Sequence, residues 1–309
     1  MKTGLLTRLK AVSIENELLY LFLHSRVAVI ATLISVIMIG AAATAPLIAP
    51  GNPYDLTSYD LLDSLLPPGF TDGGDTRFFL GTDDQGRDLL SAILYGTRLS
   101  LTVGLLSVAF ASVLGVTLGL VAGYLGGRFD AFVMRIADVQ LSLPAILTAL
   151  LIDGIARGIL PQQRHDELML LVLTVAIGLS LWVNFARTAR ASTFVEKNKE
   201  YVQATQIMGM HPMRIMFVQI LPNILGPIMV ILTVDLAVAI LLEATLSFLG
   251  VGVPPNQPSL GTLIRSGTEY MFSGEWWIVI FPSVTLIILI VSVNTLGDFL
   301  RDALNPRLR

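Results

Sequence analysis

The chain has 309 residues, 54% hydrophobic and only 14% charged, with a net charge of −3, whereas soluble domains carry about a quarter charged residues. That balance, with a mean hydropathy of +0.73, points to a chain lying largely in lipid and gives a nucleic-acid surface no electrostatic support. The absence of cysteine excludes disulfides, thiolate catalysis and Cys-ligated metal.

A spanning helix needs about 20 mostly apolar residues to cross roughly 30 Å of hydrocarbon. Residues 1–26 read as a polar tail, whose part up to about Leu23 is expected to lie as a helix on the membrane surface. The first span is predicted at 27–49; its apolar run and polar lead are both too long for a signal peptide, despite the small residues Ala41 to Ala45. Residues 50–98 form a Gly-, Pro- and Asp-rich loop with eight aspartates, read as irregular but ordered. A core of five more spans over 99–301 follows: Leu99 to Leu125, Ile136 to Ala156, Leu168 to Ala186, about Asn223 to Leu242, and Trp276 to Gly297. A loop at 187–222 divides the fourth span from the fifth, and 302–309 is a second tail. The expected fold is an all-α membrane protein with six transmembrane helices. An even number of spans puts both termini on one side.

Lys and Arg favour the cytoplasmic face. Lys2, Arg8, Lys10, Arg26, Arg128, Arg135, Arg187, Arg190, Lys197, Lys199, Arg214, Arg301, Arg307 and Arg309 share one face, against Arg77, Arg87, Arg98, Arg157, Arg164 and Arg265 on the other. Both tails and the 187–222 loop are therefore expected to be cytoplasmic, and the 50–98 loop extracytoplasmic.

Within the second span, Gly115, Gly119 and Gly123 recur every four residues, a bare helix face that admits a close neighbour. In the basic loop, Asn198 is a plausible N-cap for a short helix over Lys199 to Met208. Gly209 can end that helix with positive φ, and Pro212 suits the first turn of the next. Tyr201, Ala204, Thr205 and Met208 fall on one narrow face with small residues in its middle, which fits another protein's groove or packing on its own bundle.

Polar groups inside spans are expensive and point to function by default. Asp235 lies in mid-span, where it either lines a translocation path and meets a substrate's ammonium group, or pairs with another subunit or water. Asn184, Asn294 and Gln140 read as helix-to-helix hydrogen bonders, with Asn184 and Asn294 also candidates for the path. Glu243 is expected to brace the loop that follows it. The stretch Gly81 to Asp88 has acidic residues but lacks a Glu at calcium-loop distance, so no metal site is expected. Trp276 and Trp277 read as interfacial anchors.

The segment Glu200 to Pro222 resembles the cytoplasmic loop of ABC importer permeases, which reads Glu-Ala-Ala, three residues, Gly, then a later Ile-x-Leu-Pro. Gln203-Ala204-Thr205 stands at the first element, Gly209 is in register and Leu221-Pro222 closes it. Gln203 removes the carboxylate of that pattern, Thr205 replaces its second Ala, and Gln219 stands where it has Ile. Three further stretches resemble the dipeptide/oligopeptide/nickel group of these permeases: FLGTDDQGRDLLSAILYGTRLS at 79–100, SFLGVGVPPNQPSLG at 247–261 and NTLGDFLRDALNPRLR at 294–309. Leu260 sits where a Trp is common. The C-type membrane subunit, with its sizeable loop after the first span, is the nearer match.

The resemblance implies a type I importer bundle in a bacterial inner membrane. It also implies a second, B-type permease, two ATPases holding ATP and Mg, and an extracytoplasmic solute-binding protein. It gives ATPase coupling to Glu200, Tyr201, Gln203, Ala204, Thr205, Met208, Gly209, Leu221 and Pro222. Peptides are the cargo it implies, with nickel, opines or another small solute as the alternative. No cofactor is expected on this chain: its lysines are 2, 10, 197 and 199, and none follows a glycine, so a phosphate-wrapping P-loop is absent. A membrane-embedded enzyme is the remote rival; His24, His165 and His211 are scattered, and no zinc-protease or serine-hydrolase motif occurs. A lone proton- or sodium-driven carrier is the third reading, and six spans are few for it.

Overall fold

The computed structural model describes residues 22–55, 59–254 and 257–304. The surface helix expected in the N-terminal tail lies outside them apart from its last residues, and so does most of the C-terminal tail. Among the described residues every regular element is helical, with one isolated β-bridge between Thr82 and Asp88.

Helix α1 (Arg26–Ala43) starts at Ser25, whose hydroxyl accepts the Ala28 N–H at 3.3 Å. Helix α2 (Leu89–Leu125) starts ten residues before the predicted span because Asp88 caps it, accepting the Ser91 N–H at 2.8 Å. At 37 residues it is about 55 Å long, well over one hydrocarbon thickness. Gly126 and Gly127, both at positive φ, then turn the chain.

The third predicted span is not one rod. It is α3 (Gly127–Leu141) and α4 (Ala145–Ile159), bent by 96° across Ser142 to Pro144. Pro144 has no N–H for a helix ladder and pushes Leu143 out of the helical region, while the apolar average over 136–156 hides the break. Helix α5 (Gln162–Glu196) runs ten residues past its predicted end, so Arg187 and Arg190 are helical rather than in a loop. Helix α6 is Glu200–Ile207, a turn Pro212–Arg214 and a wide π-turn Ile215–Ile220 follow, and α7 is Leu221–Phe248. Helix α8 (Leu260–Tyr270) opens with a capping box between Ser259 and Thr262. Helix α9 (Trp277–Leu304) is the last described element. Among the described residues five helices are long and apolar enough to cross a membrane, six with the bent pair as one span.

Helix α5 is the most enclosed of these: 61% of its spanning window is buried, against 22% for α1. Its main partner is α2. A Cβ at Gly115, Gly119 or Gly123 would run into the α5 backbone at Trp182, Ala186 and Arg190 respectively. The bare face therefore lets two main chains touch along three turns. Leu120, Leu173, Ile177 and Phe185 fill the core beside this seam. A second cluster, with Leu89, Ile240, Leu263 and Leu289, joins α2, α7, α8 and α9 toward the 50–98 loop. The Phe22 and Phe299 rings meet edge-on at 5.5 Å, which brings the start of α1 to the end of α9.

Candidate functional site

The site lies where α5, α6 and α7 meet. Helix α6 follows α5 after a three-residue turn, and Gly209 at φ +71° ends it. Pro212 then opens the next turn. The helix starts at Glu200 with Lys199 at the cap position, one residue later than expected. Asn198 does not cap it; its Nδ2 donates back to the Phe194 carbonyl at 2.8 Å.

The expected docking face is split. Val202 and Thr205 are buried against the bundle and Tyr201 is half-buried, whereas Glu200, Gln203, Ala204, Ile207 and Met208 are exposed. The phase differs because Val202, the strongest apolar residue of the first turn, takes the core-facing position, and Thr205 follows it at i+3. The outward apolar surface is thus Ala204, Ile207 and Met208, with Ile207 88% and Met208 71% exposed. Gly209 and Pro222 are exposed and Leu221 half-buried.

Several polar ties hold α6 to the bundle. The Tyr201 hydroxyl donates to Glu196 Oε1 at 2.6 Å and accepts from Asn223 Nδ2 at 3.1 Å. Asn223 Nδ2 also donates to the Gln219 carbonyl at 2.6 Å. Lys199 Nζ lies 2.7 Å from Glu196 Oε2. Burial and the bond to Glu196 push the Tyr201 hydroxyl up to about 12, so it stays protonated near neutral pH. Lys197 Nζ donates to the Gly123 carbonyl at 2.8 Å, while Arg190 pairs with Asp130 and Arg187 with Asp138. These last three contacts fasten the end of α5 to α2 and α3.

A cleft of about 1220 Å³ opens between α5 and α7 above this region. Its lining runs from Asn184 and Asp235 down to Arg187, Glu196, Asn223 and Arg301. Asp235 is only 4% exposed, and both its oxygens accept from Asn184 Nδ2 at 3.2 Å. Two of the three path candidates therefore touch each other, across 51 positions of sequence. Asn294 stands apart, exposed on α9 and outside the cleft. Gln140 bonds across helices: its Nε2 donates to the Leu179 carbonyl, and its Oε1 accepts Trp182 Nε1–H at 2.7 Å.

The opposite end buries several polar groups. Glu243 is fully buried and accepts from Ser100 at 2.5 Å and Ser247 at 2.8 Å. Ser247 in turn accepts the Val253 N–H at 3.4 Å, so Glu243 does brace the loop after α7. Asp83 and Arg87 form a buried ion pair at 2.6 Å inside the Gly81 to Asp88 turn. Trp277 Nε1 donates to the Thr82 carbonyl at 3.1 Å, which makes it a clamp on the loop, while Trp276 is exposed. Among the described residues no three metal-ligating side chains gather.

Residues 115–309 match the family described as the binding-protein-dependent transport system inner membrane component. The dipeptide transport system permease protein DppC of Haemophilus influenzae is 36% identical over 294 residues, covering 95% of both chains. The di/tripeptide transport system permease protein DppC of Pseudomonas aeruginosa is 38% identical, covering 93% of this chain and 90% of that one. Among solved structures, an inward-facing MetNI methionine ABC transporter chain aligns with a TM-score of 0.55 at 21% identity. It covers 70% of this chain and 98% of that one, a likeness of fold.

Proposed function

The chain belongs to the family of binding-protein-dependent transport system inner membrane components, and from that premise we propose that it is the C-type half of the translocation path in an ATP-driven importer of di- and oligopeptides. It is a multi-pass permease of the inner membrane. The observation that carries the peptide reading is identity of 36% and 38% with dipeptide and di/tripeptide permeases along nearly the whole chain.

In this reading the basic end, with both tails and α6, faces the cytoplasm, and the 50–98 loop faces the solute-binding protein. A B-type permease supplies the other half of the path. Two ATPases bind ATP and Mg and seat against Ala204, Ile207 and Met208. Two large apolar side chains standing in water on a short helix support an occupied surface, and Ala204 between them permits close approach. Nucleotide binding closes the ATPases, α6 follows as a rigid piece, and the spans exchange inward and outward states. Asp235, held by Asn184, offers a carboxylate to a passing ammonium group in the cleft.

The test is Ala204→Arg in the assembled complex. Uptake is expected to fall at least tenfold while membrane insertion and Tm stay native; normal uptake overturns the docking role. Copurified binding protein should carry peptide. The chain reconstituted alone should accumulate no solute, and accumulation there overturns the reading.

A further inference from the structure

The Tyr201 hydroxyl and its two nearest polar partners belong to three different pieces of the molecule, with the Gln219 carbonyl farther off at 3.4 Å. Tyr201 is on α6, Glu196 is the last residue of α5, and Asn223 lies in the first turn of α7. The hydroxyl spends its one proton on Glu196 at 2.6 Å and uses its oxygen to accept Asn223 at 3.1 Å. Glu196 and Asn223 both line the cleft that holds Asp235, one on each wall. Glu196 has little freedom, because its side chain is only 8% exposed and its other oxygen is taken by Lys199 at 2.7 Å. The link is therefore short, charge-assisted on one side, and joins two residues that line the cleft.

The neighbouring fastenings leave this link the variable one. The α2–α5 seam is backbone against backbone, and Lys197, Arg190 and Arg187 pin the end of α5 to α2 and α3. Before α7 comes the π-turn Ile215–Ile220, a break in the regular ladder of the kind found at functional sites. Displacing α6 cannot easily drag α5, and meets the least resistance along the chain toward α7.

We propose that the Tyr201 hydroxyl is the latch that ties α6 to both walls of the cleft, so that movement of α6 sets the width of the cleft. Tyr201 is a positioning residue: it touches no solute and acts through Glu196 and Asn223. The inference rests on the reading of the chain as an ATPase-coupled permease.

The experiment uses the whole complex of this chain, its partner permease, the ATPases and the binding protein, in lipid nanodiscs and liposomes. Tyr201→Phe removes only the hydroxyl; Asn223→Ala removes the link from the α7 side. Spin labels go on Ser192→Cys and Gly226→Cys, which sit on opposite walls of the cleft. The chain has no cysteine of its own, and a side chain at Gly226 meets nothing within 4 Å. In the native complex the label separation should change on ATP binding. In Tyr201→Phe the ATPases should copurify and hydrolyse within twofold of native, uptake should fall at least tenfold, and the ATP-dependent change in separation should vanish. Asn223→Ala should do the same, and the double variant no more than either. Native uptake with a native distance change overturns the latch. So does a parallel fall of uptake, hydrolysis and complex yield, which marks a merely structural role. A native chain that retains no ATPase overturns the importer reading itself, a different result from failure of the variant alone.

Discussion

The two ends of this molecule spend their polar groups differently. At the end carrying the 50–98 loop, Glu243, Asp83 and Arg87 are buried and bonded to groups from the same chain. Trp277 clamps Thr82 from 195 positions away. At the basic end the ion pairs beside α6 are partly exposed, and α6 leaves Ile207 and Met208 in water. Both ends leave large apolar side chains exposed, Leu62 and Phe79 at one and Ile207 and Met208 at the other; what differs is that Glu243, Asp83 and Arg87 are kept from water while the ion pairs beside α6 are within its reach. Substitutions should therefore act on stability at the first end and on assembly at the second.

The largest effect is expected from Glu243→Ala. It strands the Ser100 and Ser247 hydroxyls in a dry core and should destabilise the fold by about 3 kcal/mol. Thermal melting of the purified complex should show a Tm several degrees lower, with uptake lost in proportion. A Tm within one degree of native would erase the contrast. Next comes Ile207→Asp. An 88% exposed side chain supports little of the fold, so stability should move by less than about 0.5 kcal/mol, while copurified ATPase should fall about tenfold, in line with a buried contact residue. Loss of Tm without loss of ATPase would put Ile207 in the wrong class. The smallest effect belongs to the middle of the membrane. Asp235→Asn keeps the shape and the neighbour Asn184; uptake of amine-bearing solutes should fall several-fold with hydrolysis and Tm unchanged. Equal uptake of every solute would end the pathway role.

Much of this contrast was legible in the residues. The four-residue glycine spacing marked the seam, Gly209 marked the end of α6, and Glu243 sat where a brace was needed. Hydropathy found the spans but misread the third, since an average cannot see that Pro144 removes a donor at one point. The orientation of α6 was also misread: a helix of eight residues carries two competing faces, and only contact with α7 and the π-turn decides that Val202 goes in and Ala204 out. The pairings Asn184 with Asp235, Arg190 with Asp130 and Tyr201 with Asn223 span 22 to 60 positions. No local pattern encodes such distances; they follow from how the helices cross.

Because three glycines weld α2 to α5, these two longest helices make one stiff boom through the bilayer. At 37 residues and 1.5 Å per residue it reaches about 55 Å, so a tilt of about 5° at one tip carries the other sideways by about 5 Å. Leverage of that kind needs no bending within the boom.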